Sequence, residues 1–349
     1  MKRPNRRSVI ADVALAAGVS KTTVSHALRG QGRVNQETRR RVQEIANKLA
    51  YAPSRIAQGL RTGRVGLIAI ANSVASEITS AAGELSYFMA VANAAARTAL
   101  DRGYPTILIP PRAQADWLQM IDIDGAIVMD PKIDDELLGA LRRRCVPFVT
   151  IGRDVDARKK GWCVDFNYVE ATALILDHFA ATGSRQPALI LSEERRSYSL
   201  DTLKGYKRWT RAHGVTPIVR TARESGAESA GYTVMARLLV EKPDIDAVFA
   251  PLDAFAVGAL RALVENNRSV PDDVQVAAFD GVRAQYSKPT LTALSDSPRD
   301  SAITAVTLLL EHMRNPKANP QRKVLPLHIV TRQSTRSRSP LPVEQRTSD

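Results

Sequence analysis

Between residues 65 and 333 the sequence alternates short, continuously apolar runs with longer stretches of helical periodicity. That alternation leaves few folds open. The runs cover residues 65–71, 106–109, 125–129, 146–151, 188–191, 247–250, 274–279 and 291–294. A strand with one wet face alternates apolar and polar residues; a strand covered on both faces is apolar throughout. Nearly every one of these runs is of the second kind, so they predict parallel sheets with helices on both sides. The helical patterns at 87–102, 168–182, 202–212, 229–240 and 254–265 supply the crossovers. The class is therefore α/β, doubly wound. About eight strands overfill one small domain, so two lobes are expected.

Residues 1–64 are of a different kind. They hold 14 Lys and Arg against 3 Asp and Glu, a balance of +11 out of the chain's +13. A basic segment on a near-neutral body suits a polyanion partner at one end or a solvated basic surface. Within it, 10–17 reads as a short Ala-rich helix. Gly18 supplies the backbone freedom of a tight turn. Ser20 can cap a second helix running to Leu28. Small Ala14 and apolar Val24 let the two helices cross closely, a helix-turn-helix pattern. On the second helix Val24, Ala27 and Leu28 share one face, and Lys21, Thr22, Ser25, His26 and Arg29 lie on the other. Such a polar face is able to enter a major groove and reach base edges. A third helix opens near Asn35, with Val42, Ile45, Ala46 and Leu49 at helical spacing.

The remaining sequence excludes more than it assigns. Two cysteines, Cys145 and Cys163, make no paired motif, which suits a reducing compartment. No signal-peptide pattern and no long apolar segment is present, so a cytoplasmic location is expected and no membrane partner. The five histidines are scattered, and no zinc-protease, nucleophile-elbow, Walker A or dinucleotide motif occurs. No enzyme activity and no cofactor are expected. Residues 334–349 are polar and rich in Pro and Ser, and are expected to form a disordered tail.

Three linked patterns then give a resemblance. Asp12-Val13-Ala14, Gly18-Val19-Ser20, Thr23-Val24-Ser25 and Leu28 form the first; Val34, Thr38-Arg39 and Val42 the second; Tyr51, Pro53, Ala57 and Leu60-Arg61-Thr62-Gly63 the third. In this register the chain resembles the LacI/GalR family of bacterial repressors. The resemblance implies an all-α helix-turn-helix headpiece at 1–52 and a hinge helix at 53–64. It further implies a two-lobed core like the periplasmic binding proteins at 65–333. Its lobes are expected near 65–163 plus 293–322 and near 164–292 plus 323–333.

The resemblance implies a homodimer on double-stranded operator DNA. Lys21, Thr22 and His26 fall at base-reading positions, with His26 where many relatives carry Arg. Ala57 and Leu60 fall on the minor-groove side of the hinge, Leu60 at the position that wedges between base steps. Gly59 weakens that helix by about 1 kcal/mol relative to Ala, so DNA would supply the ordering.

The resemblance also implies a small-molecule effector, a sugar or related metabolite, in a cleft between the lobes. Ligands of open α/β sheets lie beyond the carboxyl ends of the strands. That rule points to Ser73, Asp130, Arg153, the 192–196 loop with Arg195, Leu252 and Asp280. Tyr87 and Phe88 fall where the family's first core helix faces the ligand, and Phe279-Asp280 resembles its conserved aromatic-Asp pair. Asp253 is read as a helix cap, outside the site. Thr202 stands where many relatives place a sugar-binding Arg, and Leu252 where they place Asn. The stretch 74–84 is longer than usual. The sign of control, induction or corepression, is open.

Overall fold

The computed structural model describes residues 8–30, 32–52, 64–73, 82–109, 117–156, 161–279 and 286–337. The chain forms two compact units, Met1–Gly66 and Leu67–Asp349.

The first unit holds α1 (Ile10–Ala17), α2 (Lys21–Arg29) and α3 (Gln36–Lys48). Each start has a local cause. The Asp12 carboxylate accepts from the Val9 N–H at 2.8 Å, Ser20 Oγ from the Thr23 N–H at 3.0 Å, and Asn35 Oδ1 from the Thr38 N–H at 2.7 Å. These side chains satisfy amides that a helix start leaves without partners. α1 stops at Gly18, which is left-handed at φ 63° and lets Val19 N–H reach the Ala14 carbonyl. Val13, Ala14, Ala17, Val24, Ala27, Val42 and Ala46 make the core of this small unit. Ser8 Oγ donates to the Leu49 carbonyl at 2.7 Å, tying the lead-in to the end of α3.

The second unit contains two six-stranded sheets. The first lobe carries β1 (Ile68–Asn72), β2 (Thr106–Ile109), β3 (Gly125–Met129), β4 (Phe148–Ile151), β5 (Cys163–Phe166) and β11 (Arg322–Leu325), in the order β11-β5-β4-β3-β1-β2, all parallel. Alternate residues serve opposite faces. Ile68, Ile70, Ile127 and Met129 pack under α4 (Ala82–Asp101) and α11 (Pro298–Arg314), while Ala69, Ala71, Ala126 and Val128 pack against α5 (Trp117–Met120) and α6 (Glu136–Arg143). Both faces are covered, which is why β3 and all of β1 but its last residue, Asn72, are without polar side chains.

The second lobe carries β6 (Pro187–Ser192), β7 (Ile218–Ala222), β8 (Ala247–Ala250), β9 (Gln275–Phe279), β10 (Thr292–Ser295) and β12 (His328–Val330). Their order is β12-β10-β9-β8-β6-β7, with only β12 antiparallel. Leu189, Leu191 and Phe249 face α7 (Tyr168–Ala181) and α8 (Ser197–Ala212); Ile190, Val248 and Val276 face α9 (Ala227–Glu241) and α10 (Asp253–Glu265).

The chain passes between lobes three times: from β5 into α7, from β10 into α11, and from β11 into β12. β5, β10 and β11 each stay with their sheet to residues 166, 295 and 325, three residues past the approximate lobe limits expected at 163, 292 and 322. The expected strand at 65–71 begins only at Ile68.

The tail expected from 334 onward is corrected at its start. Ser334 is fully buried; its Oγ donates to the Val276 carbonyl at 2.6 Å and accepts from the Thr292 N–H at 2.8 Å. Thr335 Oγ1 lies 2.8 Å from His178 Nε2 and from Thr292 Oγ1, and the Arg336 N–H donates to Gln275 Oε1 at 2.9 Å. Hydrogen bonds at the sheet end order this polar segment without apolar burial.

Candidate functional site

The two sheets bring their carboxyl ends around one cavity of about 130 Å³. From the first lobe come Asn72 at the end of β1, Met129 and Asp130 at the end of β3, Ile151 closing β4 and Phe166 closing β5, with Tyr87 and Phe88 from α4. From the second come Glu224 beyond β7, Pro251-Leu252-Asp253 beyond β8, Phe279 closing β9 and Asp296 after β10. Tyr168 and Tyr198, from the first turns of α7 and α8, complete an aromatic wall. The Tyr168 ring lies 5.2 Å from Phe279, 5.6 Å from Phe166 and 6.2 Å from Tyr198, all tilted, an arrangement rings favour over face-to-face stacking.

The polar groups are mostly acids. Asp130 sits in the left-handed region at φ 46°. Burial pushes its carboxyl up to about 6; Arg196 opposes this, and Glu224 and Asp296 add to it. Burial also raises the Asp296 carboxyl, against the hydroxyls of Tyr87 and Ser301, each of which donates to Oδ2 at 2.8 Å. The Tyr168 phenol is held well above its ordinary range, first by burial and then by the nearby carboxylates. Glu224 is matched: Arg196 reaches its two oxygens at 3.3 and 3.2 Å, and Ser192 Oγ donates at 2.7 Å. Both members of that ion pair are almost fully buried.

A second set of contacts clasps the lobes beside the cavity. The Arg196 guanidinium donates to the Asp130 carbonyl across the cleft, and the Ile133 N–H donates to the Arg195 carbonyl at 3.0 Å. The Arg153 N–H donates to Ser197 Oγ at 3.0 Å, while its guanidinium pairs with Asp201 on α8 and with Asp165 at 2.8 Å.

The structure thus places Tyr87, Phe88, Asp130 and Leu252 on the cavity wall. It does not bring the other described candidates there. Ser73 gives way to its neighbour Asn72; its own N–H is spent on the Met129 carbonyl. Arg153 belongs to the clasp, Arg195 is exposed and offers only its carbonyl, and Thr202 is fully buried inside the second lobe. Asp253 is the first residue of α10, one position past the cap, which Leu252 occupies, and Asp253 lines the cavity. Asp280, Ala57, Leu60 and most of the 74–84 stretch lie outside the described residues.

Phe166 was missed because Asp165 interrupts β5 as an apolar run. Asp296 follows β10 directly, where the carboxyl-end rule extends if applied to it. Tyr168 and Tyr198 had no comparable signal, since a helix start does not announce what it faces.

On the first unit, Lys21 and Thr22 are exposed and Ser25 and His26 half-buried on the α2 face opposite Val24 and Ala27. Arg29 closes the helix. Among the described residues no group of three His, Cys, Asp or Glu could hold a metal ion, and no helix is long and apolar enough to cross a membrane.

Two domain families match the sequence. "Bacterial regulatory proteins, lacI family" covers residues 9–54, and "Periplasmic binding protein-like domain" covers residues 176–335. The HTH-type transcriptional regulator CelR of Thermobifida fusca is 27% identical, over 94% of this chain and 98% of its own. The HTH-type transcriptional repressor PurR of Edwardsiella ictaluri is 29% identical, over 94% of this chain and 96% of its own. A crystal structure of the lac repressor dimer bound to operator and the anti-inducer ONPF superposes with a TM-score of 0.80 at 23% identity, covering 95% of this chain and all of that one. With a lacI-type DNA-binding domain joined to a periplasmic-binding-protein-like body, and whole-length relatives that are helix-turn-helix regulators, the chain belongs to the LacI family of bacterial regulatory proteins.

Proposed function

We propose that this chain represses transcription from operator DNA and that a small molecule held between its two lobes sets its DNA affinity. One observation carries the reading: a helix-turn-helix unit is joined in one chain to a body whose two sheets close their carboxyl ends around an aromatic cavity. In this reading Lys21, Thr22, Ser25, His26 and Arg29 meet base edges and phosphates in the major groove. Ala57 and Leu60 enter the minor groove, two copies act as a dimer, and the protein works in the cytoplasm. Asp130, Tyr87, Phe88 and Leu252 contact the effector, joined by Asp253, Asp296, Tyr168 and Phe279.

The coupling is one of linkage. A ligand shifts an equilibrium only by its differential affinity for two states. The cavity is walled by both lobes, so a ligand there feels any change in their separation. DNA affinity then changes by the same factor as ligand affinity.

The test is fluorescence anisotropy with the duplex upstream of the chain's own gene against random duplex, across a salt series. The expected result is preference for one segment, with affinity falling steeply as salt rises because bound phosphates release counterions. Leu60→Ala should weaken that preference and leave the dimer intact. Equal affinity for every duplex overturns the reading.

A further inference from the structure

The cavity wall is rich in rings and poor in groups that can serve a buried hydroxyl. Of its seventeen described lining residues twelve are apolar or aromatic, so a ligand meets mostly carbon. Tyr87, Phe88, Phe166, Tyr168, Tyr198 and Phe279 supply rings from both lobes. They do not stack flat on one another. The Phe279 ring stands edge-on to Tyr198 at 6.3 Å and is tilted against Tyr168 at 5.2 Å. A cage of this kind offers both faces and edges, and another aromatic ring complements both.

The polar remainder of the wall is Asn72 and four acids, Asp130, Glu224, Asp253 and Asp296. Among the described residues no Lys, Arg, His, Gln, Ser or Thr lines the cavity. The acids are answered from within the protein. Glu224 accepts from Arg196 and Ser192, and Asp130 faces the charge of the same guanidinium. Asp296 accepts from Tyr87 and Ser301 and faces His328, which also commits the Tyr87 hydroxyl. Asn72 and Asp253 are engaged as well. The polar groups of the wall therefore serve the fold. A sugar hydroxyl both donates and accepts, and each one buried without partners costs affinity. A polyol carries such a group on nearly every carbon. An aromatic ring asks only that carbon be removed from water.

We infer that the cavity takes a neutral aromatic compound with few polar groups, a phenol or an aromatic alcohol, in preference to a sugar or other polyol; this rests on its reading as an effector site. The rings of the two lobes close on the ligand's faces and edges. Leu252 keeps the wall apolar where the loop beyond β8 meets the cavity.

The experiment is isothermal titration of the full chain with phenol, 2-naphthol, cyclohexanol, inositol and glucose, which keep a six-membered ring and differ in aromaticity and hydroxyl count. Phenol and naphthol are expected to bind one site per chain at least about tenfold tighter than inositol or glucose, a ratio equivalent to about 1.4 kcal/mol, with cyclohexanol between. Leu252→Asn, which puts an amide on the wall, should narrow that ratio. Phe279→Leu keeps the wall apolar and should weaken naphthol more than cyclohexanol. Inositol or glucose binding as tightly as the aromatics overturns the inference. So does absence of binding by all five compounds at millimolar concentration, or aromatic binding that neither variant changes. Operator affinity measured alongside separates the two readings. A sugar that binds and shifts DNA affinity sinks the aromatic class and keeps the effector. An aromatic compound that binds without shifting it keeps the class and sinks the effector.

Discussion

A Cβ added to Gly32 would stand 2.6 Å from Nδ1 of His26, so the loop after α2 seats the imidazole by having no side chain of its own. Gly32 is also left-handed at φ 72°, a conformation costing other residues about 1–2 kcal/mol. Gly32→Ala must push the ring out of its seat or move the loop. The expected outcome is a melting point lowered by a few degrees and operator affinity reduced about tenfold, read by calorimetry and anisotropy. Unchanged DNA affinity in the destabilised variant would show that His26 does not touch DNA.

Arg196 is 2% exposed and its partner Glu224 6%. Removing one member of a buried pair strands the other charge, at a cost of about 3–5 kcal/mol. Arg196→Met is expected to lose that much stability in chemical denaturation, and Arg196→Met with Glu224→Met to recover a large part of it. A double variant no more stable than the single one would show that the cost comes from the lost bond to the Asp130 carbonyl.

Asp201 tests the clasp more gently. Its pair with Arg153 is partly exposed, and Arg153 keeps Asp165 when Asp201 is neutralised. Pairs of this kind contribute about 1 kcal/mol or less. Asp201→Asn should therefore leave folding nearly intact. Its effect should appear as a few-fold change in ligand affinity, measured by titration calorimetry, because the lobes part more easily.

The pH dependence of stability follows from Asp130. Burial raises its carboxyl to about 6, with Glu224 and Asp296 reinforcing and Arg196 opposing. Between its unfolded value of about 3.9 and 6 the folded chain therefore holds more proton than the unfolded one. Its contribution to stability is greatest at low pH and is lost as pH rises through 6. The Asp130→Asn variant should gain in melting temperature relative to the parent as pH goes from 4 to 7. A flat difference across that range would show Asp130 to be solvated.

The parallel sheets were readable because β1, β3, β6 and β8 are apolar at nearly every position and both their faces are covered. Other strands hide for specific reasons. β5 contains Asp165, fully buried but met by Arg153 and Arg322, so polarity within the strand is answered inside the fold. β7 and β11 lie at sheet edges, and Arg322 and Lys323 face water. α11 begins on Pro298 behind the Ser297 cap, a start signal the apolar-run pattern passes over. The cavity was legible at Tyr87, Phe88, Asp130 and Leu252 because the strand-end rule and the family pattern each point to single positions. Tyr198 and Asp296 come from segments far apart in sequence, and nothing local says that they meet.

The three passages between lobes have a consequence for synthesis. The headpiece helices are complete once Lys48 has emerged from the ribosome. The first sheet cannot acquire its covering helix until Arg314 or its edge strand until Leu325, and the second waits for Val330. More than 270 residues beyond the headpiece must be translated before either lobe can close, so the DNA-reading unit exists on each nascent chain well before the element that would govern it.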